Sequence, residues 1–438
     1  GGSGGAASTA VVLHEDKKFY PTAEEVYGAG TEAVYHDEDA QDIEEPLVPR
    51  VEHRADASER VVGGGGEDGE EEGDAEAEEA FPMRCGAAFL RALAATPATA
   101  RQVVLAGHVH HGKSSVVDLL VRASHQADSL PGGGKGAASN GGKPMRYTDA
   151  RDDERARGMS IKATPVTAVC ESSRGKSYAL GLIDAPGHAD LVDEAVASMR
   201  LVDGAVVVVD AVEGVMLQTE RALKAAAREG LAVCVVINKV DRLITELKLP
   251  PTDAYFKLRH TLDEANAVLE AAGGDSIQRL DPVAGNVCFA SAAYEFCFSL
   301  KSFARLYAEV HGLPVDAEAL AARMWGNIYY HPGSRAFRKR PPPEDADPRR
   351  SFVEFVLEPL YKIFALCVGE HPKSVARALA GLGVRLPPSA YKQDVRPLLR
   401  DACAAVFGDM SSLVDMLVEH VPPTDAGARA KVAAHYSG

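Results

Sequence analysis

Apolar residues in this chain come in short, nearly unbroken runs, separated by stretches in which apolar positions recur every three or four residues. The runs at 101–106, 164–170, 178–183, 205–210 and 232–237 predict strands. The periodic stretches at 114–124, 191–201 and 218–229 predict helices. Strands that are apolar at nearly every position are buried on both faces. The expected fold class is therefore α/β, a mostly parallel sheet with helices packed on both sides. Residues 242–285 read as an inserted subdomain, its helical stretch at 252–269 a packed appendage, and 351–422 as amphipathic helices broken at prolines. The Gly-rich stretch 131–143 reads as a mobile loop.

Composition separates the N-terminal end from the rest. Of 438 residues, 46% are hydrophobic, enough for a sizeable core. Residues 67–79 hold nine acidic and no basic side chains directly after four glycines, a composition that cannot bury enough apolar surface to fold. Residues 1–85 are thus expected to be a largely disordered acidic region, with 1–10 a flexible leader, and 86–438 the folded domain. An aromatic-containing island at 11–28, with Phe19, Tyr20, Val26 and Tyr27, is expected to dock on a protein partner. The net charge of −16 argues against attachment to nucleic acid by bulk electrostatics, leaving only a local basic patch. Seven scattered cysteines without a CxxC pair fit reduced thiols, with Cys234 and Cys288 as small core residues. No run of about 20 apolar residues exists to span a membrane.

Chemistry gathers at the ends of the strands. Gly107-His108-Val109-His110-His111-Gly112-Lys113-Ser114, followed by Ser115, matches GxxxxGK[ST] between an apolar strand and a helix. In such a loop backbone N–H groups close around phosphates, Lys113 reaches the β- and γ-phosphates, and Ser114 ligates Mg²⁺. Asp184-Ala185-Pro186-Gly187-His188 follows the strand at 178–183. There Asp184 would hold Mg²⁺, Gly187 would offer its N–H to a γ-phosphate, and His188 would stand beside an attacking water. Asn238-Lys239-Val240-Asp241 follows the strand at 232–237, and Ser291-Ala292 follows the run NVCFA. A carboxylate at Asp241 accepting from N1–H and the 2-amino group would select guanine over adenine. Three motifs in order at the ligand-binding edge of such a sheet point to a P-loop GTPase using GTP and Mg²⁺.

The segments GHVHHGKS, ERARGMSIKATPV, DAPGHAD and NKVD resemble the GTPase domain of elongation factor 2 and its relatives. The long insert is similar to that of elongation factors 2 and G. The stretches VVLHEDKKFYPTAEEVYG, ITELKLPPTDAYFKLRH and SFVEFVLEPLYKIFALCVG resemble the elongation-factor-2-like GTPases of the U5 small nuclear ribonucleoprotein, from Val11 to the end of the chain. That resemblance implies a nuclear splicing factor that binds GTP. It also implies contact with the large scaffold protein of the U5 particle and with the RNA helicase that unwinds snRNA duplexes, in a particle containing U5 snRNA, whether or not this chain touches RNA directly. The family continues into further domains, so the chain reads as a fragment ending near the start of the second. A ribosomal elongation factor is the alternative. Two departures stand out. His110 occupies the place of a loop aspartate, and Ser160, in Arg157-Gly158-Met159-Ser160-Ile161, that of the first-switch threonine. Ser160 keeps a hydroxyl for Mg²⁺ without the stiffening methyl; Thr164 is a substitute or a plain strand starter. Arg155 and Arg157 read as salt-bridging or solvated rather than catalytic.

Overall fold

The computed structural model describes residues 85–125, 147–149, 151–273, 278–312, 316–342, 348–369 and 371–436. The readings made for 1–84, including the docking island, and for the loop at 131–143 lie outside the described residues.

After a short helix α1 (Ala87–Ala95) the chain builds a sheet from β1 (Ala100–Ala106), β2 (Thr164–Glu171), β3 (Ser177–Asp184), β4 (Gly204–Asp210), β5 (Ala232–Asn238), β6 (Val287–Ser291) and β7 (Phe296–Phe298). The strand order is β2-β3-β1-β4-β5-β6-β7. The five central strands β3, β1, β4, β5 and β6 run parallel, so their carboxyl ends share one edge. The two outer strands are antiparallel additions. Each joins its neighbour through a short turn, and a connection that short cannot make a parallel crossover. The predicted strand 164–170 is thus an edge strand, and β7 escaped prediction because Phe-Cys-Phe is too brief to show a period.

Strand β4 shows why continuous apolarity means burial on both sides. Val206 and Val208 face one core with Val116, Leu120, Val236 and Leu417, while Ala205, Val207 and Val209 face another with Leu223, Tyr255 and Phe289. Helices α2 (Lys113–Ser124) and, from the C-terminal part, α13 (Ser411–His420) cover the first face. The second is covered by α4 (Val192–Leu201), α5 (Leu217–Arg228) and, beyond the one-turn α6 (Arg242–Thr245), by α7 (Pro251–Gly273). Helix α3 (Asp152–Arg157) precedes β2. The helix predicted at 252–269 is α7, which buries Tyr255, Leu258, Leu262 and Leu269. Later elements are α8 (Leu300–Val310), α9 (Ala317–Ala321), the hairpin β8 (Tyr329–His331) and β9 (Ala336–Arg338), a π-helical turn (Val353–Leu357), α10 (Glu358–Gly369), α11 (Pro372–Gly381), α12 (Val395–Phe407) and α14 (Thr424–His435). All seven cysteines are free thiols, and Cys234 and Cys288 are fully buried. No helix among the described residues is long and apolar enough to cross a membrane.

Candidate nucleotide-binding site

The loop between β1 and α2 sits at the carboxyl edge of the parallel strands. It passes through left-handed conformations at His110 (φ 62°) and Gly112 (φ 95°) before α2 begins at Lys113. Histidine tolerates that region better than most side chains. At Gly112 a β-carbon would collide with the amide of Asn238, so the position admits glycine alone. The Lys113 Nζ donates to His108 O at 3.0 Å, and Ser115 follows it, half-buried, in the first turn of α2. Gly187 lies against the same loop, where a β-carbon would come within 2.8 Å of Val109 N and Gly107 O. Glycine there lets the segment after β3 approach the loop with its backbone bare.

The hydroxyls of Ser114 and Ser160 are 3.0 Å apart, and Ser160 Oγ also donates to Asp149 Oδ1 at 3.2 Å. Thr148 Oγ1 donates to the buried Asp184 Oδ2 at 2.8 Å. A void of about 30 Å³ lies between Val109, Lys113, Ser114, Met159, Ser160 and Gly187. One cation, several hydroxyls and two carboxylates around a glycine-lined hollow suit an oxygen-liganded Mg²⁺ beside phosphates. That ion takes few protein ligands and keeps waters and phosphate oxygens. Sequence reasoning missed Thr148 and Asp149, which fit no short motif. Thr164 begins β2, and its hydroxyl donates to Thr148 O at 3.4 Å rather than joining Ser114.

Glu154, buried in α3, shapes the segment leading to β2. Its carboxylate accepts from Ile161 N (2.8 Å), Lys162 N (3.0 Å) and Arg151 N (3.2 Å). Those three donors hold the turn that presents Ser160. Arg155 Nε donates to Asp149 O and its guanidinium pairs with Asp152; Arg157 is exposed. Ala185 and Pro186 are buried beneath the loop, and Ala185 N donates to Leu105 O at 3.2 Å. His188 is half-exposed, and its Nδ1 accepts from Asp190 N at 3.3 Å, which leaves Nε2 to face outward chemistry.

At the end of β5, Asn238 is fully buried. Its Nδ2 donates to His111 O at 2.9 Å, and its Oδ1 accepts from Ala292 N at 3.1 Å. One side chain thus ties the first loop to the loop after β6. The Lys239 Nζ donates to His110 O at 2.5 Å and pairs with Asp210 at 3.0 Å. Val240 is a core residue. Asp241 accepts from the buried Ser291 hydroxyl at 2.5 Å. Burial pushes the Asp241 carboxyl above its usual range, and the Ser291 bond opposes this.

His111 is the loop residue whose place differs from that of its neighbours. Its ring turns inward and is wholly buried. Asp210 N donates to Nδ1 at 3.2 Å, so Nε2 carries the proton and donates to Glu213 at 3.1 Å. Burial pushes this imidazole down to about 4. Burial raises the Asp210 carboxyl, but donors from Val212 N, Lys239 and Arg242 outweigh it and hold the group below its usual range. Glu213, His111, Asp210, Lys239 and Arg242 form one polar chain from the first loop to α6, buried at His111 and Asp210 and reaching the surface at Glu213.

The family described as the elongation factor Tu GTP binding domain matches residues 98–423. A second, described as the N-terminus of the 116 kDa U5 small nuclear ribonucleoprotein component, matches residues 3–60. The 110 kDa U5 small nuclear ribonucleoprotein component CLO of Arabidopsis thaliana is 47% identical over 98% of this chain and 41% of its own length. The 109 kDa U5 component GFL of the same plant is 46% identical over 100% of this chain and 43% of its own. The pre-mRNA-splicing factor cwf10 of Schizosaccharomyces pombe is 39% identical over 98% and 41%. The chain therefore spans about two fifths of the length of these relatives. With a profile match over most of its length, the chain belongs to the family of the elongation factor Tu GTP binding domain, the translation-factor type of GTP-binding protein.

Proposed function

We propose that this chain is the GTP-binding portion of a U5 small nuclear ribonucleoprotein component that acts in pre-mRNA splicing in the nucleus. The observation that carries the splicing assignment over the ribosomal one is the similarity of both ends to the same group. The N-terminal profile at 3–60 and the splicing relatives over nearly the whole chain are named for that particle or that process. Its partners in this reading are the large scaffold protein and the RNA helicase of the particle.

At the site, Ser114, Ser160 and Asp184 would hold Mg²⁺, which when bound neutralises phosphate charge. Lys113 and the backbone N–H groups of 107–115 bind the phosphates, and the positive end of α2 adds to them. Asp241, poor in donors where it is buried, gains them from guanine. Asn238 and Ala292 fix the two loops that flank the base. His188 orients water toward the phosphate chain, and Glu154 holds Ser160 in the conformation that closes the site. Release of that turn on loss of the terminal phosphate is the switch. A second reading, a scaffold that holds GTP and rarely hydrolyses it, is favoured by His110 and Ser160, which replace a carboxylate and a methyl-bearing hydroxyl.

Capture on the tagged full chain from nuclear extract tests the assignment. It predicts recovery of U5 snRNA and splicing proteins; recovery of ribosomal particles without them would reverse it.

A further inference from the structure

The chain's negative charge is unevenly placed. Residues 1–84 hold 23 Asp and Glu against six Lys and Arg, leaving 40 acidic and 41 basic residues over 85–438. Residues 85–438 are therefore near neutral in total, and a local cationic surface among them is not cancelled by their bulk charge.

One such surface is the β8–β9 hairpin. Between Glu318 and Glu354 the described residues include no acidic side chain, while Arg335, Arg338, Lys339 and Arg340 are all exposed. None of these four takes part in an ion pair among the described residues, although Arg122, Arg151, Arg200, Arg242 and Arg305 all do. Glu344, Asp345 and Asp347, next in sequence, lie outside the described residues.

The register gives the cations a rigid seat. Tyr330 pairs with Phe337, and both rings pack on Phe355, at 5.4 and 5.7 Å. Two strands of three residues would be marginal alone, and this apolar face anchors them. Alternation then turns the next pair, Tyr329 opposite Arg338, to the other face. Arg350 bridges to Tyr329 on its free side, and its guanidinium lies 5.9 Å from that ring and 4.5 Å from the ring of Phe256, which is 43% exposed. The result is a row in the order Arg338, Tyr329, Arg350, Phe256.

We propose that this row, with Lys339 and Arg340 beside it, binds single-stranded RNA. Alternating guanidinium groups and aromatic rings match a chain that alternates phosphates and bases. Arginine takes phosphate oxygens bidentately, and an exposed ring takes the face of any base. An acidic polypeptide would use the cations but have no use for the rings. The inference is independent of the nucleotide site.

The test is fluorescence anisotropy of a labelled oligouridylate, about twelve nucleotides long, titrated with the full chain at several salt concentrations. Replacing Arg338, Lys339 and Arg340 together with Ala is expected to weaken binding at least tenfold. It should also make the log–log salt dependence shallower by about 2, since each phosphate contact on a single strand contributes about 0.7. Phe256→Ala is expected to weaken binding about fivefold or more at every salt with the slope unchanged. Unaltered RNA affinity in both variants overturns the proposal. So does displacement of the RNA by a polyglutamate peptide of equal charge combined with no effect of Phe256→Ala, an outcome that assigns the surface to an acidic protein. GTP affinity, measured in parallel and expected to be unchanged, reports that the variants are folded and keeps any failure of the nucleotide reading separate.

Discussion

Among individual residues, the clearest division of labour is between two of the three loop histidines and the one beyond β3. His110 is exposed and strained into a left-handed turn, His111 is buried and neutral, and His188 is half-exposed beside Gly187. Only the last directly follows a glycine whose bare backbone packs against the loop, Gly187. Replacing His188 with Ala should lower single-turnover GTP hydrolysis by roughly 10²–10⁴-fold, the usual worth of a positioned acid–base group. GTP affinity should stay within a fewfold of the original, because no base or phosphate contact is lost. Unchanged hydrolysis would remove His188 from the mechanism and favour the scaffold reading. Candidate positions were legible where a motif fixes the spacing, as at Lys113, Asp184 and Asp241, which the fold brings to the carboxyl edge of the sheet. Thr148, Asp149 and Glu154 were not, because their value lies in what the fold brings to them. A carboxylate that accepts from three backbone donors looks, in sequence, like any acidic residue in a charged run.

At the level of elements, the sheet explains both what could be read and what could not. Strands β1, β4 and β5 are apolar on both faces, so their runs stand out and their ends fall within a residue or two of prediction. Direction is invisible in such a run, which is why the antiparallel course of β2 had to come from its partner β3. The polar chain that joins the first loop to β4 and α6 was also hidden, since His111 reads as one more loop position. It carries a pH dependence. The folded-state value of His111 is depressed to about 4, below the ordinary value near 6.5 of the unfolded chain. Between those values the unfolded state binds a proton that the folded state refuses. Stability from this group is therefore complete above pH 6.5 and is lost as pH falls toward 4, by up to about 3 kcal/mol. Urea unfolding of wild type and His111→Gln across that window should differ in slope, the variant being the flatter. Parallel pH profiles would show that His111 does not remain neutral in the fold.

For the whole molecule, charge is what changes most between sequence and structure. The total of −16 argued against nucleic acid, but all of it belongs to residues 1–84, and the described residues beyond them present a basic hairpin with Tyr329 on its outer face. Totals hide such placement, and only the register of β8 and β9 puts Arg338 beside Tyr329. The central claim, however, is the proposed guanine site at the carboxyl edge of the parallel strands, where Asp241 would carry the selectivity. Calorimetric titration of the full chain with GTP, ATP and xanthosine triphosphate, on wild type and Asp241→Asn, tests it most directly. Wild type should bind GTP at least about a hundredfold more tightly than the other two, because a buried carboxylate left with the Ser291 hydroxyl and no donors from the base is costly. Asp241→Asn should lose GTP by a similar factor and gain the xanthosine nucleotide, whose 2-oxo group accepts from the new amide. Equal affinity of wild type for ATP and GTP, or an Asp241→Asn variant with unchanged preference, would contradict the account.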